Sequence, residues 1–199
     1  MAVDPHRSLM SVEEYLMLDR DSLDVRYEFI DGHVYMLAGG SADHSTICIN
    51  MTSLLHSLLR GSPCRVYNSD MRVRLSETRY VYPDASVSCD SRDRGRIESM
   101  QYPRLVVEVL SPSTEASDRG RKFGYYRGCP TIEEYVMVDA QRQGVEVYRR
   151  ASENLWTLHP FGPDDQIELR SLGISFPISA VYENIELPND DDSLDGSPA

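Results

Sequence analysis

With 199 residues, the chain is long enough for one domain with a buried core and too short for two full domains with separate functions. Apolar residues make up 41% and charged residues 26%, as in an ordinary globular protein, and no apolar run approaches the roughly 18 residues of a membrane-spanning helix. The formal charge of -12 excludes a protein that grips nucleic acid by charge alone, even though five of the acidic residues (Glu186, Asp190, Asp191, Asp192, Asp195) sit in the last stretch of chain with no basic residue beside them.

The N-terminus carries Asp4, Pro5, His6 and Arg7 but no apolar segment or small-residue cleavage site, so no secretion signal is expected and the cytoplasm follows as the expected location. Residues 1–10 read as a flexible N-terminus. Ser11 is placed to cap a short helix to about Leu18, with Glu14 at capping-box spacing. Arg26-Tyr27-Glu28-Phe29-Ile30 and His33-Val34-Tyr35-Met36-Leu37 flank Asp31-Gly32, a strong hairpin signal. From Asp43 to Arg60, Ile47, Met51, Leu54, Leu55, Leu58 and Leu59 recur at helical spacing, and Gly61 with Pro63 ends the run.

Strands are expected over Arg65–Tyr67, Met71–Leu75 and Val81–Ser88, followed by a long polar loop from Cys89 to Pro103. Leu105-Val106-Val107-Glu108-Val109-Leu110 is a continuous apolar run broken by one carboxylate, the pattern of a strand covered on both faces. Ser113 or Thr114 is placed to cap a helix to about Arg127, and Gly128-Cys129-Pro130 stops it. Tyr135–Asp139, Gly144–Arg149, Leu155–His159 and Gln166–Leu172 supply further strands, while residues 186–199 read as an acidic disordered tail. The order predicts an α/β fold: one domain over residues 11–185, built on a central mixed sheet flanked by helices, with an N-terminal helix and β-hairpin. The four cysteines (Cys48, Cys64, Cys89, Cys129) form no Cys-x-x-Cys pair and are expected to be reduced bystanders.

Three residues stand out chemically. Glu108 interrupts an apolar strand, where an unpaired carboxylate costs several kcal/mol, on the order estimated for buried ions. Asp84 follows Pro83, and proline marks a strand end, edge or bulge, so Asp84 is placed where a strand opens toward a cleft. Lys122 is the only lysine among 20 cationic residues; a compact, tunable ammonium is the property arginine cannot replace. Two carboxylates on neighbouring strands suit a hard divalent cation, and an ammonium beside them can orient water and offset charge on phosphorus. The plainer alternative for Lys122 is an i,i+4 surface ion pair with Asp118, worth only about 0.3–0.5 kcal/mol.

Taken together, Tyr27-Glu28-Phe29-Ile30-Asp31-Gly32, Asp43-His44 opening a helix, Tyr82-Pro83-Asp84, Val107-Glu108-Val109-Leu110-Ser111-Pro112-Ser113-Thr114, and Asp118 to Lys122 with Tyr125-Tyr126 resemble the Uma-type endonuclease family of the PD-(D/E)XK, restriction-endonuclease-like superfamily. The resemblance runs from about Ser11 to Tyr182. It implies a restriction-endonuclease-like domain that hydrolyses nucleic-acid phosphodiesters, DNA being the favoured substrate, with Mg²⁺ or Mn²⁺ as cofactor and a homodimer as the assembly. It makes Asp84, Glu108 and the Val109 carbonyl the metal ligands and Lys122 the catalytic lysine, with Glu28 and His44 as further catalytic positions. In the superfamily's usual pattern the lysine stands two residues after the glutamate; here Leu110 occupies that position, so Lys122 must reach in from the helix.

Glu28 also has a simpler role open to it, pairing with Arg26 or capping the hairpin, and His44 could be a helix-start residue alone. Arg92, Arg94, Arg96 and Arg104 form a patch suited to a phosphate backbone, diluted by Asp90, Asp93 and Glu98. The alternative function is a catalytically silent nucleic-acid- or protein-interaction module on the same fold.

Overall fold

The computed structural model describes residues 9–37, 39–95 and 97–187. Most of the expected flexible N-terminus and nearly all of the acidic tail lie outside them, as does Arg96. Helix α1 (Val12–Asp21) starts at Ser11 with both arms of the capping box formed: Ser11 Oγ accepts from Glu14 N–H, and Glu14 accepts from Ser11 N–H. Strands β1 (Tyr27–Ile30) and β2 (His33–Met36) form the hairpin across Asp31-Gly32, both at positive φ (49° and 91°), as a tight two-residue turn requires. A Cβ on Gly32 would lie 3.0 Å from the Leu9 side chain. Gly32→Ala should therefore cost about 1–3 kcal/mol, read as a lower urea midpoint at unchanged slope.

Helix α2 (Ala42–Leu58), capped by Ser41, buries Ile47, Met51 and Leu55 on one stripe. Strands β3 (Arg65–Asn68), β4 (Val73–Ser76), β5 (Arg79–Val81) and β6 (Ala85–Ser88) follow. The single strand expected over Val81–Ser88 is two: Tyr82-Pro83-Asp84 interrupts it, and the two halves belong to different sheets. Proline has no N–H for a ladder, so the chain leaves one sheet at this point and enters the other. The long loop after β6 is held by Asp93, whose buried carboxylate accepts from Ser88 Oγ and from the N–H groups of Gln101 and Tyr102.

Strand β7 (Leu105–Leu110) is buried along its whole length. After it, α3 (Glu115–Ser117), a π-helical turn (Asp118–Lys122) and α4 (Phe123–Gly128) run on as one helix. Thr114 stands at the N-cap without capping through its side chain, which instead accepts from Ser111 N–H. Strands β8 (Glu134–Asp139), β9 (Val145–Arg150), β10 (Trp156–Phe161), β11 (Gln166–Leu169) and β12 (Ile174–Pro177) complete the chain. The main sheet has the order β10-β9-β8-β7-β6-β3, mixed because β7 and β8 are parallel; a second, antiparallel sheet has the order β2-β1-β5-β4, and β11-β12 form a ribbon. Among the described residues no helix is long and apolar enough to cross a membrane.

The alternation along β7 sorts the core. Leu105, Val107 and Val109 join α2 on one face; Val106 and Leu110 join Tyr126, Ile132 and the second sheet on the other. Glu108 shares the parity of Val106 and Leu110, so its carboxylate enters the space between the main sheet, α4 and the hairpin.

The expectation of four reduced cysteines is corrected for two of them: Cys64 and Cys89 form a disulfide. The antiparallel register Arg65↔Ser88, extended by one residue, sets them opposite each other, a proximity that a separation of 25 residues in sequence conceals. Cys48 and Cys129 are free. Closing a loop of this size restricts the unfolded chain by about 3 kcal/mol. Reduction, or Cys64→Ser, should accordingly lower unfolding stability by that order; an unchanged denaturation midpoint would show that the β3–β6 pairing holds without the bond.

Candidate active site

The second sheet delivers Glu28 from β1, the inter-sheet link delivers Asp84, β7 delivers Glu108, the start of α2 delivers His44, and the π-helical turn delivers Asp118 and Lys122. Lys122 Nζ lies 3.0 Å from Glu108 Oε1 and 3.0 Å from Glu28 Oε1, and 3.7 Å from Asp118 Oδ1. All four side chains are buried or nearly so; Lys122 is 12% exposed, which removes the surface ion pair as its explanation. Tyr126 Oη donates to the same Glu108 oxygen at 2.5 Å, and no hydrogen bond from a described residue reaches Oε2. Glu28 Oε1 also accepts from Tyr82 N–H at 3.2 Å, while Arg26 pairs with Asp70; neither pairing with Arg26 nor hairpin capping accounts for Glu28.

Asp84 sits on the other side of Glu108. Continuing the register Ala85↔Val107 by one residue places it across from Glu108, and its Oδ2 accepts from Val109 N–H at 2.7 Å. His44 Nε2 donates to the Val109 carbonyl at 3.1 Å and lies 3.6 Å from Asp84 Oδ2. The His44 N–H is held by the Ser41 cap, so this residue both starts the helix and projects its ring into the site. The Val109 carbonyl thus has one lone pair engaged by His44 and one remaining.

Electrostatically the site is short of positive charge. Burial, together with Asp84, Asp118 and Glu28, pushes Glu108 up to about 8 despite the lysine beside it. Burial likewise raises Asp118. For Lys122, burial alone would favour loss of the proton, but Glu108, Glu28 and Asp118 overcome it and hold the ammonium charged. The Asp84 carboxylate, 3.6 Å from Nε2, raises His44 against the effect of burial. Glu28, Glu108 and Asp118 surround one ammonium, Asp84 stands across from Glu108, and Glu108 Oε2 lacks a described partner; these are oxygen donors of the kind a hard divalent cation takes, and the cation would supply the missing charge.

The lysine communicates with solvent through a cleft lined by Glu28, Ile30, Tyr35, Ser117, Arg121, Lys122 and Tyr125. Of the arginines near the long loop, read either as a phosphate-binding patch or as a solvated loop, Arg92 pairs with Asp90, Arg104 with Glu133, and Arg94 donates to the Pro63 carbonyl. Asp118 and Tyr126, marked from sequence by their four-residue steps from Lys122 but given no task at the site, both reach it, and so does Cys48, which was read as a bystander. Cys48 lies one turn after His44, with Sγ 3.6 Å from Nδ1. The π-helical turn, in which Phe123 N–H donates to the Asp118 carbonyl five residues back, has no sequence signal, although such turns recur at functional sites.

A family model described as "Uma2: Putative restriction endonuclease" matches residues 12–179. An uncharacterized protein of Synechocystis sp. is 37% identical over 177 residues, covering 88% of this chain and 93% of that protein. A second Synechocystis protein, also uncharacterized, is 30% identical over 179 residues, covering 87% of this chain and all of that protein. The crystal structure of a "putative nuclease belonging to DUF820" from Anabaena variabilis superimposes with a TM-score of 0.72 at 20% identity, covering 87% of this chain and 98% of that one.

Proposed function

The chain belongs to the Uma2 family of putative restriction endonucleases, and from that premise we propose that it is a metal-dependent endonuclease that hydrolyses phosphodiester bonds, with DNA as substrate and Mg²⁺ or Mn²⁺ as cofactor. One observation carries the reading: a buried glutamate in the middle of an apolar strand, Glu108, meets the chain's only lysine at 3.0 Å on one side and faces Asp84 on the other.

In this reading Asp84 and Glu108 hold the cation, with the remaining lone pair of the Val109 carbonyl as a third oxygen. When bound, the cation supplies charge to the phosphate and acidifies a water. Lys122 Nζ, fixed by Glu28 and Glu108, orients the attacking water and offsets the negative charge that builds on the phosphate oxygens. The water oxygen bonds to phosphorus as the opposite P–O bond breaks; the water gives up a proton and the leaving oxygen gains one. His44, fixed by the Val109 carbonyl and raised by Asp84, is the group positioned to carry a proton or to touch phosphate. Asp118 and Tyr126 are positioning residues, acting through Lys122 and Glu108.

The cyanobacterial relatives make a bacterial enzyme acting on cytoplasmic DNA the reading we adopt, and a homodimer would present two such sites to the two strands of a duplex. Calorimetric titration with Mg²⁺ and Mn²⁺ tests it. Wild type is expected to bind, and Asp84→Ala and Glu108→Gln are expected to lose affinity at least about 10-fold. If folded wild type binds neither cation, the interaction-module reading, which the acidic charge favours, replaces this one.

A further inference from the structure

The nuclease reading leaves one reactive group unused. Cys48 is half-buried and adjoins His44 and Asp84, and among the described residues these three form a group in which one donor atom from each lies within 4.8 Å of the others. We propose that His44, Cys48 and Asp84 form a site for a thiophilic divalent cation of the Zn²⁺ type, sharing only Asp84 with the hard-cation centre.

The ligand spacing has a structural cause. His44 and Cys48 are one turn apart on α2, so both side chains lie on the same face. The Val109 carbonyl can only accept, so the Nε2 that bonds to it carries the hydrogen and Nδ1 keeps a lone pair, which faces Cys48 Sγ at 3.6 Å. A backbone carbonyl that fixes the far nitrogen is the usual support for a metal-binding histidine. Zn–N and Zn–S bonds of about 2.0–2.1 and 2.3 Å at a tetrahedral angle separate the two donors by roughly 3.5 Å, close to the spacing present. Gly40 packs against the imidazole: a Cβ there would stand 2.6 Å from Nδ1 and 2.8 Å from Cγ, so glycine lets the ring keep this orientation.

Chemistry separates this site from the other. Mg²⁺ takes oxygen donors and gains nothing from a thiol, whereas imidazole with thiolate selects zinc-like ions. On binding, the Cys48 thiol releases its proton to solvent and the cation takes its place between sulfur and nitrogen. Three protein ligands leave a fourth position for water. Because Asp84 serves both centres, a bound Zn²⁺ withdraws it from the hard cation and inhibits cleavage; that consequence rests on the nuclease reading, while the site itself does not.

The test uses the full chain without thiol reductant, so that Cys64 and Cys89 stay bonded to each other. Zn²⁺ calorimetry is expected to show one equivalent bound, weakened at least about 100-fold in Cys48→Ser and in His44→Ala. Co²⁺, as a spectroscopic substitute, is expected to give a thiolate-to-cobalt absorption band in wild type and in Cys129→Ser but not in Cys48→Ser. Co²⁺ binding without that band, or unchanged Zn²⁺ affinity in Cys48→Ser, would overturn the proposal. A protein that shows the band yet binds no Mg²⁺ and cuts no DNA keeps this site and loses the nuclease reading.

Discussion

Replacing Lys122 with methionine is expected to cost about 3–5 kcal/mol of folding stability above about pH 8, where Glu108 is ionised beside it, and to lower nuclease activity at least about 100-fold. Methionine keeps an unbranched apolar stem and removes the ammonium, with its charge and its hydrogen-bond donors. What remains is Glu28, Glu108 and Asp118, buried around a position that no longer carries a cation. Removing one partner of a buried ion pair costs more than the pair itself contributes, because the charge left behind has lost its hydration without compensation. Arginine is expected to recover part of the stability and little of the activity, since its planar fork cannot occupy the point from which one ammonium touches two carboxylates. Urea denaturation of the three proteins measures the first effect. Wild-type stability in Lys122→Met at that pH would show that the lysine holds nothing in place.

The second large effect is on pH. In EDTA, stability is expected to fall as pH rises from about 5 to about 8, by up to about 1.4 kcal/mol per pH unit. Glu108 is held at about 8 in the folded protein against an ordinary glutamate value of 4.5, chiefly by burial. Between those values the folded protein keeps a proton that the unfolded chain has released, so folding becomes less favourable as protons are withdrawn. Above about 8 the folded protein releases it too, and the slope from this group ends. Asp118, also raised, acts in the same direction at the acid end of the window. His44 has the same sign: its raised value contributes stability at low pH that is lost as pH climbs through it. Lys122 stays charged throughout. Glu108→Gln should remove most of the slope, and saturating Mg²⁺ should flatten it in wild type by favouring the ionised carboxylate. A flat profile for metal-free wild type would contradict the charge shortage on which the metal reading is built.

Much of this arrangement was legible in the sequence, for reasons that are local. Asp31-Gly32 fixes the hairpin because two adjacent residues must adopt positive φ. Ser11 with Glu14 fixes the start of α1 because their reciprocal bonds need only three residues of separation. Glu108 was visible because a charge inside an apolar strand needs a partner, and Lys122 because no other lysine exists in the chain.

The features that escaped depend on distant segments or on backbone detail. Pro83 announced a strand end, yet only the tertiary structure shows that the chain changes sheets there. Cys64 and Cys89 become neighbours through the β3–β6 register, which a 25-residue separation does not reveal. The approach of Cys48 to His44 was available as a one-turn spacing on α2 but gains meaning only when the inter-sheet link brings Asp84 against both. The pairings of Arg92 and Arg104 escape for a related reason: sequence shows where charges fall along the chain, not which of them are paired.

Plasmid nicking in Mg²⁺ or Mn²⁺ by wild type beside Glu108→Gln tests the central claim most directly. Wild type is predicted to convert supercoiled DNA to the nicked form only with the cation present, and the folded Glu108→Gln protein, which differs by one buried carboxylate, is predicted not to. Cleavage that persists in Glu108→Gln, or that proceeds in EDTA, would contradict the account.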